Sequence, residues 1–178
     1  MRRVLESERR AEQEFVDRAR ESERAPKGWP ASLVMFHIGM WRERMRDALA
    51  AIANDQPYDP PGNADAINEA ELPHGIGTPL SDASARADHL LTEILELYEK
   101  IGEKPINWFG APHTTDAVLR NSFAHPRRHL CDYTSENGDP DAARQLLENG
   151  IKDLSEVSAS EFVMKPLSGL RGDLANPI

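Results

Sequence analysis

Two long stretches of this sequence repeat apolar residues at intervals of three and four. From Ser32 to Ala53 the stripe is Leu33, Phe36, Met40, Trp41, Met45, Ala48, Leu49 and Ile52; from Ser81 to Ile101 it is Ala87, Leu90, Leu91, Ile94, Leu95, Leu97, Tyr98 and Ile101. That spacing is the one-face period of an α-helix. Amphipathic helices have to bury their stripes against one another, so the expectation is an all-α chain.

Proline and glycine divide the rest. Residues 2 to 24 hold neither, and Val4, Leu5, Phe15, Val16 and Ala19 give a sparse stripe among many Arg and Glu residues. They predict a first helix with a narrow buried face, lined with (i, i+4) ion pairs and lying on the outside of the bundle. The break Ala25-Pro-Lys-Gly-Trp-Pro30 ends it. From Asn54 to Pro79 the chain reads as a long connection with one short helix at Ala64 to Ala70. Ser81 is suited to cap the helix that follows, and Gly102 to close it.

Lys104 to His113 reads as a second connector, whose aromatic residues can cover one end of the bundle. Thr115 or Asp116 can cap a fourth helix running to Tyr133. Asp141 to Leu154 adds a fifth, and Phe162, Val163, Met164 and Leu167 one short helix more; Gly169 to Ile178 reads as a frayed tail. The 178 residues suit one domain: a bundle core over 1 to 135, additional C-terminal helices over 136 to 168, and the tail.

The charge is unevenly placed. Residues 51 to 103 carry two basic against eleven acidic side chains, whereas residues 104 to 130 carry four basic and one acidic. With a net charge of −9 this balance argues against nucleic acid, which needs a basic face. Arg42, Arg44, Arg46, Arg127 and Arg128 read as the solvated faces of their helices, with a positive rim for an anionic substrate as the alternative. The single cysteine, Cys131, excludes an internal disulfide and reads as an inert buried thiol rather than a ligand or nucleophile. No signal-peptide pattern follows Met1 and no run of eighteen apolar residues occurs, so the expectation is a cytoplasmic protein with no membrane partner. A homodimer through an exposed helix face is compatible with a bundle of this size.

Chemistry enters with Asn121-Ser-Phe-Ala-His125-Pro-Arg-Arg-His129-Leu-Cys-Asp-Tyr133. Residues four apart stack on one helix face, so His125 and His129 can aim both imidazoles at one point. A divalent centre usually takes a third protein ligand. His37 is the candidate, since it sits on the inward stripe among Leu33, Phe36, Met40 and Trp41; a core histidine bonded to a carbonyl is the plain alternative. His74, between Pro and Gly, reads as an exposed loop residue, and His89 as structural. Pro126 either kinks the fourth helix or restarts it, because a helix-interior proline removes a hydrogen bond and clashes with the preceding turn.

A lone histidine in the second helix, entered through Gly28-Trp29-Pro30 and followed by Trp41, then a His-x-x-x-His in the fourth helix, resembles the DinB/YfiT-like family of metal-binding four-helix bundles. The likeness covers roughly residues 1 to 135. It implies a DinB-like four-helix bundle with long connections, here with one or two extra C-terminal helices, in which His37, His125 and His129 hold a divalent cation, often zinc or nickel. Among characterised relatives the resemblance brings in thiol-cofactor S-transferases, a maleylpyruvate isomerase and self-protection hydrolases. It thus implies a metal-bound water or a low-molecular-weight thiol acting on a small-molecule substrate.

No other catalytic signature competes. The chain has no Gly-rich phosphate loop, no Gly-x-Ser-x-Gly elbow, and a proline where a His-Glu-x-x-His motif would place its glutamate. Nitrogen ligation favours Zn, Ni, Cu or Fe over Mg or Ca. The non-enzymatic reading is a small-molecule binding or sequestration protein on a metal-free bundle.

Overall fold

A computed structural model describes residues 1 to 20 and 28 to 175. The expected end of the first helix at 21 to 24, part of the break after it and the last three residues of the expected tail lie outside the described residues. In order, the elements are α1 (Arg2–Arg18), α2 (Ala31–Ala53), α3 (Ala64–Glu71) running into a 3₁₀ turn (Leu72–Gly75), α4 (Leu80–Ile101), β1 (Pro105–Trp108), β2 (Ala111–His113), α5 (Thr114–Leu119), a π turn (Arg120–Ala124), α6 (His125–Glu136), α7 (Pro140–Glu156) and α8 (Glu161–Ala175). The protein is mostly helical, and no helix among the described residues is long and apolar enough to cross a membrane.

The strongly periodic stretches form the two long helices at the centre. α2 and α4 pack along their length through Ile38, Met45, Leu49, Ala87, Leu91 and Ile94, all buried. Gly39 lies opposite Ala87, where small residues on both helices allow close approach. α1 crosses α4, α6 and α7, so its place is not peripheral. Its buried face holds Val4, Leu5, Ala11 and Phe15 and also two carboxylates, Glu8 and Glu12. The expectation of a narrow face with surface ion pairs fails there, because the bundle supplies partners that the sequence of α1 does not contain.

Those partners are arginines expected at the surface. Arg42 is fully buried and grips Glu12 with both terminal nitrogens, Nη1 to Oε2 at 2.8 Å and Nη2 to Oε1 at 2.5 Å. The same guanidinium donates to the carbonyls of Ala87 at 3.1 Å and Ser122 at 3.2 Å, tying α1, α2, α4 and the π turn to one point. Arg127, also buried, donates from Nε to Glu8 at 2.7 Å and from Nη1 to the carbonyl of Leu146 at 3.0 Å. Gly150 makes room for it: a Cβ there would stand 3.2 Å from Arg127 Cγ. Arg44, Arg46 and Arg128 remain at the surface and pair with Glu71, with Asp47 and Glu93, and with Asp132.

Four local expectations are corrected. The connector at Lys104 to His113 contains a two-stranded antiparallel hairpin, closed by Phe109 and Gly110, both at positive φ (47° and 84°). Two consecutive left-handed residues give a turn whose twist matches that of the strands. Ser81 does not cap α4, which starts at Leu80 after Pro79; the Ser81 hydroxyl bonds Asp82 instead. Neither Thr115 nor Asp116 caps α5, which starts at Thr114 directly after β2; Thr115 bonds Tyr98 and Glu103. The expected frayed tail is helical through Ala175, because Val163, Leu167 and Leu170 pack α8 onto the rest. Pro166 lies inside that helix.

Candidate metal centre

His37, His125 and His129 meet. Their centroids form a nearly equilateral triangle, 5.0 Å from His37 to His125 and 4.7 Å on the other two sides, with ring planes 66° to 83° apart. The Nε2 atom of His125 lies 3.1 Å from that of His37 and 3.0 Å from that of His129. Nitrogens held ~2.0–2.1 Å from one ion lie about 2.9 Å apart at a right angle and about 3.3 Å apart at the tetrahedral angle. The observed separations fall between those values, so three imidazoles this close together could hold a metal ion.

Hydrogen bonding alone does not account for the arrangement. A neutral imidazole nitrogen carries either one proton or one lone pair, so His125 Nε2 can serve one of its two neighbours as a linear bond but not both. A cation at the centre accepts a lone pair from each ring.

The backbone explains how the proline is tolerated. Before Pro126 the helix widens into a π turn, in which the His125 amide donates to the carbonyl of Arg120, five residues back. The widening relieves the contact between the proline ring and the turn behind it. Pro126 has no amide proton, so carbonyls in this turn are left for other donors. Ser122 receives Arg42. The carbonyl of Asn121 receives the His125 ring, and since Nε2 faces the other histidines the donor is Nδ1. That bond fixes the tautomer and leaves the Nε2 lone pair directed at the centre, as the outer partner of a metal-bound histidine does. Pro126 therefore sharpens the aim of His125, where the sequence suggested that it would disturb it. Burial, then the neighbouring rings of His129 and His37, hold the His125 imidazole well below the usual histidine range, so protons compete weakly for it.

Two indoles wall the site. Trp29 lies nearly parallel to the His129 ring at 6.1 Å and tilts over His37 at 5.2 Å, and Trp41 stands edge-on to His37 and His125 at 6.4 Å. Trp41 is fixed by its indole N–H, which donates to Asn68 at 3.0 Å. A cleft of about 230 Å³ reaches the centre at His125, bounded by Trp41, Asn68, Trp108, Phe109, Arg120 and Asn121. A larger cleft of about 350 Å³ lies between α1 and the α6–α7 pair, and none of the three histidines lines it.

The remaining histidines stand apart. His74 and His89 are exposed beside Glu71 and Glu93, so the structural role expected of His89 is absent; His113 is exposed at the end of β2. Cys131 is fully buried, and burial pushes its thiol up to about 12, as an inert side chain requires. Asn121, Trp108, Phe109 and Arg120 were not singled out from the sequence. Of these only Asn121 carried a signal, its position four residues before His125.

No family model matches this sequence, and no solved structure matches it. Over 92 residues the chain is 28% identical to the methionine import ATP-binding protein MetN of Clostridium acetobutylicum, a match covering 48% of this chain and 28% of that one. The chain thus spans less than a third of that relative's length. It contains no Gly-x-x-x-x-Gly-Lys-Ser/Thr loop, so the likeness brings no nucleotide site with it.

Proposed function

We propose that the protein is a metal-dependent enzyme of the DinB-like type, with a divalent cation held by the Nε2 atoms of His37, His125 and His129. The observation that carries this reading is the convergence of three imidazole nitrogens, two of the contacts being 3.0 and 3.1 Å, on a centre that hydrogen bonding cannot satisfy. All-nitrogen ligation in a pocket walled by indoles favours zinc or nickel over magnesium or calcium. Such an ion brings the pKa of a bound water or low-molecular-weight thiol towards neutrality, which suits hydrolysis, S-transfer or isomerisation of a small molecule.

The chain's own residues do the rest. Asn121 orients His125 through its carbonyl, Trp29 and Trp41 exclude water from two sides, and the cleft at His125 admits the substrate. The order of the Trp29-Pro30, His37-x-x-x-Trp41 and His125-x-x-x-His129 motifs supports the DinB-like assignment. The second reading, a small-molecule binding or sequestration protein, draws on the larger cleft remote from the histidines.

Metal analysis of protein purified without a histidine tag tests the first reading. One zinc or nickel per chain is expected in the parent, and almost none in His37→Ala and His129→Ala. Unchanged metal content in either variant would remove that residue from the ligand set; a metal-free parent that takes up neither ion favours the second reading.

A further inference from the structure

Most arginines on the helices bearing the histidines are neutralised by carboxylates. Arg42 and Arg127 are sealed on Glu12 and Glu8, and Arg44, Arg46 and Arg128 pair with acids at the surface. Arg120 differs. Among the described residues no carboxylate stands within ion-pair distance of it, and its guanidinium lies over the ring of Phe162, 4.2 Å from the centroid. Burial lowers its pKa with no acidic group pulling the other way. A half-buried cation without a counter-ion is costly unless a ligand supplies one.

Arg120 and His125 line the same cleft. In a regular α-helix residues five apart point about 140° away from each other. The π turn closes on a bond between exactly these two positions, the Arg120 carbonyl and the His125 amide, and so brings them roughly onto one face. The opposing wall is aromatic. Trp41, Trp108 and Phe109 supply it, with Phe109 held towards Trp41 at 5.6 Å by its left-handed backbone. At about 230 Å³ the cleft is smaller than the ~300–1,000 Å³ sites of drug-sized ligands. On its outer side Arg120 borders a hollow shared with Arg128 and Lys165, so the approach is positive and steers anions inwards.

We infer that the cleft takes a small carboxylic acid with a flat apolar body, its carboxylate paired with Arg120 and its body among Trp41, Trp108 and Phe109, facing His125. A single planar guanidinium matches a carboxylate in a two-bond pair. This deepens the reading of the histidine centre as catalytic, on which it rests for turnover, but the binding step can be measured with or without metal.

Benzoate and its neutral counterpart benzamide are the probes, titrated into full-length protein while the amide shifts of Phe109 and Asn121 are followed by NMR. Benzoate is expected to bind saturably and more tightly than benzamide. Arg120→Gln should weaken benzoate by about tenfold or more and leave benzamide unchanged, with Arg120→Lys in between. Lys165→Gln should stay close to the parent. Metal content is measured in every variant and should not move. Equal binding of benzoate by Arg120→Gln, no preference over benzamide, a larger loss in Lys165→Gln, or no saturable binding would each overturn the inference. A parent without metal that still binds benzoate through Arg120 would refute the metal centre and leave the acid site standing.

Discussion

The same helices, α2 and α6, carry two polar clusters into the interior, and the clusters are built on opposite principles. One joins unlike groups: Arg42 with Glu12 and Arg127 with Glu8, where the guanidinium protons left over find the carbonyls of Ala87, Ser122 and Leu146. The other joins like groups, three imidazoles whose ring nitrogens face each other at 3.0 and 3.1 Å. Arg42 lies only five residues beyond His37, and Arg127 falls between His125 and His129. The first cluster is close to complete in itself and acts as a clamp. The second lacks a component, which marks it as the place where the protein meets something else. Burial of a polar group is therefore no guide to function until its partners have been accounted for.

The largest expected effect is on the clamp. Arg42→Ala leaves Glu12 buried without a cation and should cost about 3–5 kcal/mol in urea unfolding. The paired change Arg42→Met with Glu12→Leu, which removes both charges, should recover most of that loss. An equal loss in the paired variant would mean that shape rather than charge makes the clamp.

A somewhat smaller effect concerns pH. Burial pushes the Glu8 carboxyl up to about 7 against the pull of Arg127. Because the folded value lies above the unfolded one, the contribution is fully present below about pH 4.5 and is lost as pH rises through 7, a change of about 3 kcal/mol. Glu8→Gln should flatten the dependence of unfolding free energy on pH across that window relative to the parent. An unaltered slope would place the raised proton affinity elsewhere.

The smallest effect sharpens the ligand count. Cys131→Ala should cost about 1 kcal/mol and leave metal content untouched, and the native thiol should resist iodoacetamide at neutral pH until the chain unfolds. Metal loss in this variant would add a sulfur ligand to the centre.

The histidine set was legible because it obeys local rules. His125 and His129 are one turn apart, and His37 sits on an apolar stripe long enough to fix which side faces inwards. The bounds of α2 and α4 followed from the same periodicity to within a residue. The clamp was not legible, since Glu8, Glu12, Arg42 and Arg127 have the composition of solvated helix faces and acquire their roles only when α1 is laid across α4 and α6. The hairpin escaped because strands of four and three residues leave no period to detect. Pro126 did announce an irregularity in the right place. What it could not announce was the form, since a kink, a restart and a π turn all begin with the same missing amide.

A π turn amounts to a helix with one residue too many. Deleting any one position between Arg120 and Ala124 would let an ordinary helix close, and everything beyond it would swing about 100° around the axis. The imidazole pair on α6 and the guanidinium in front of it would then no longer share a side. In evolutionary terms the smallest possible insertion is enough to convert a helix that merely presents two histidines into one that also overlooks a binding cleft, and the smallest possible deletion undoes it.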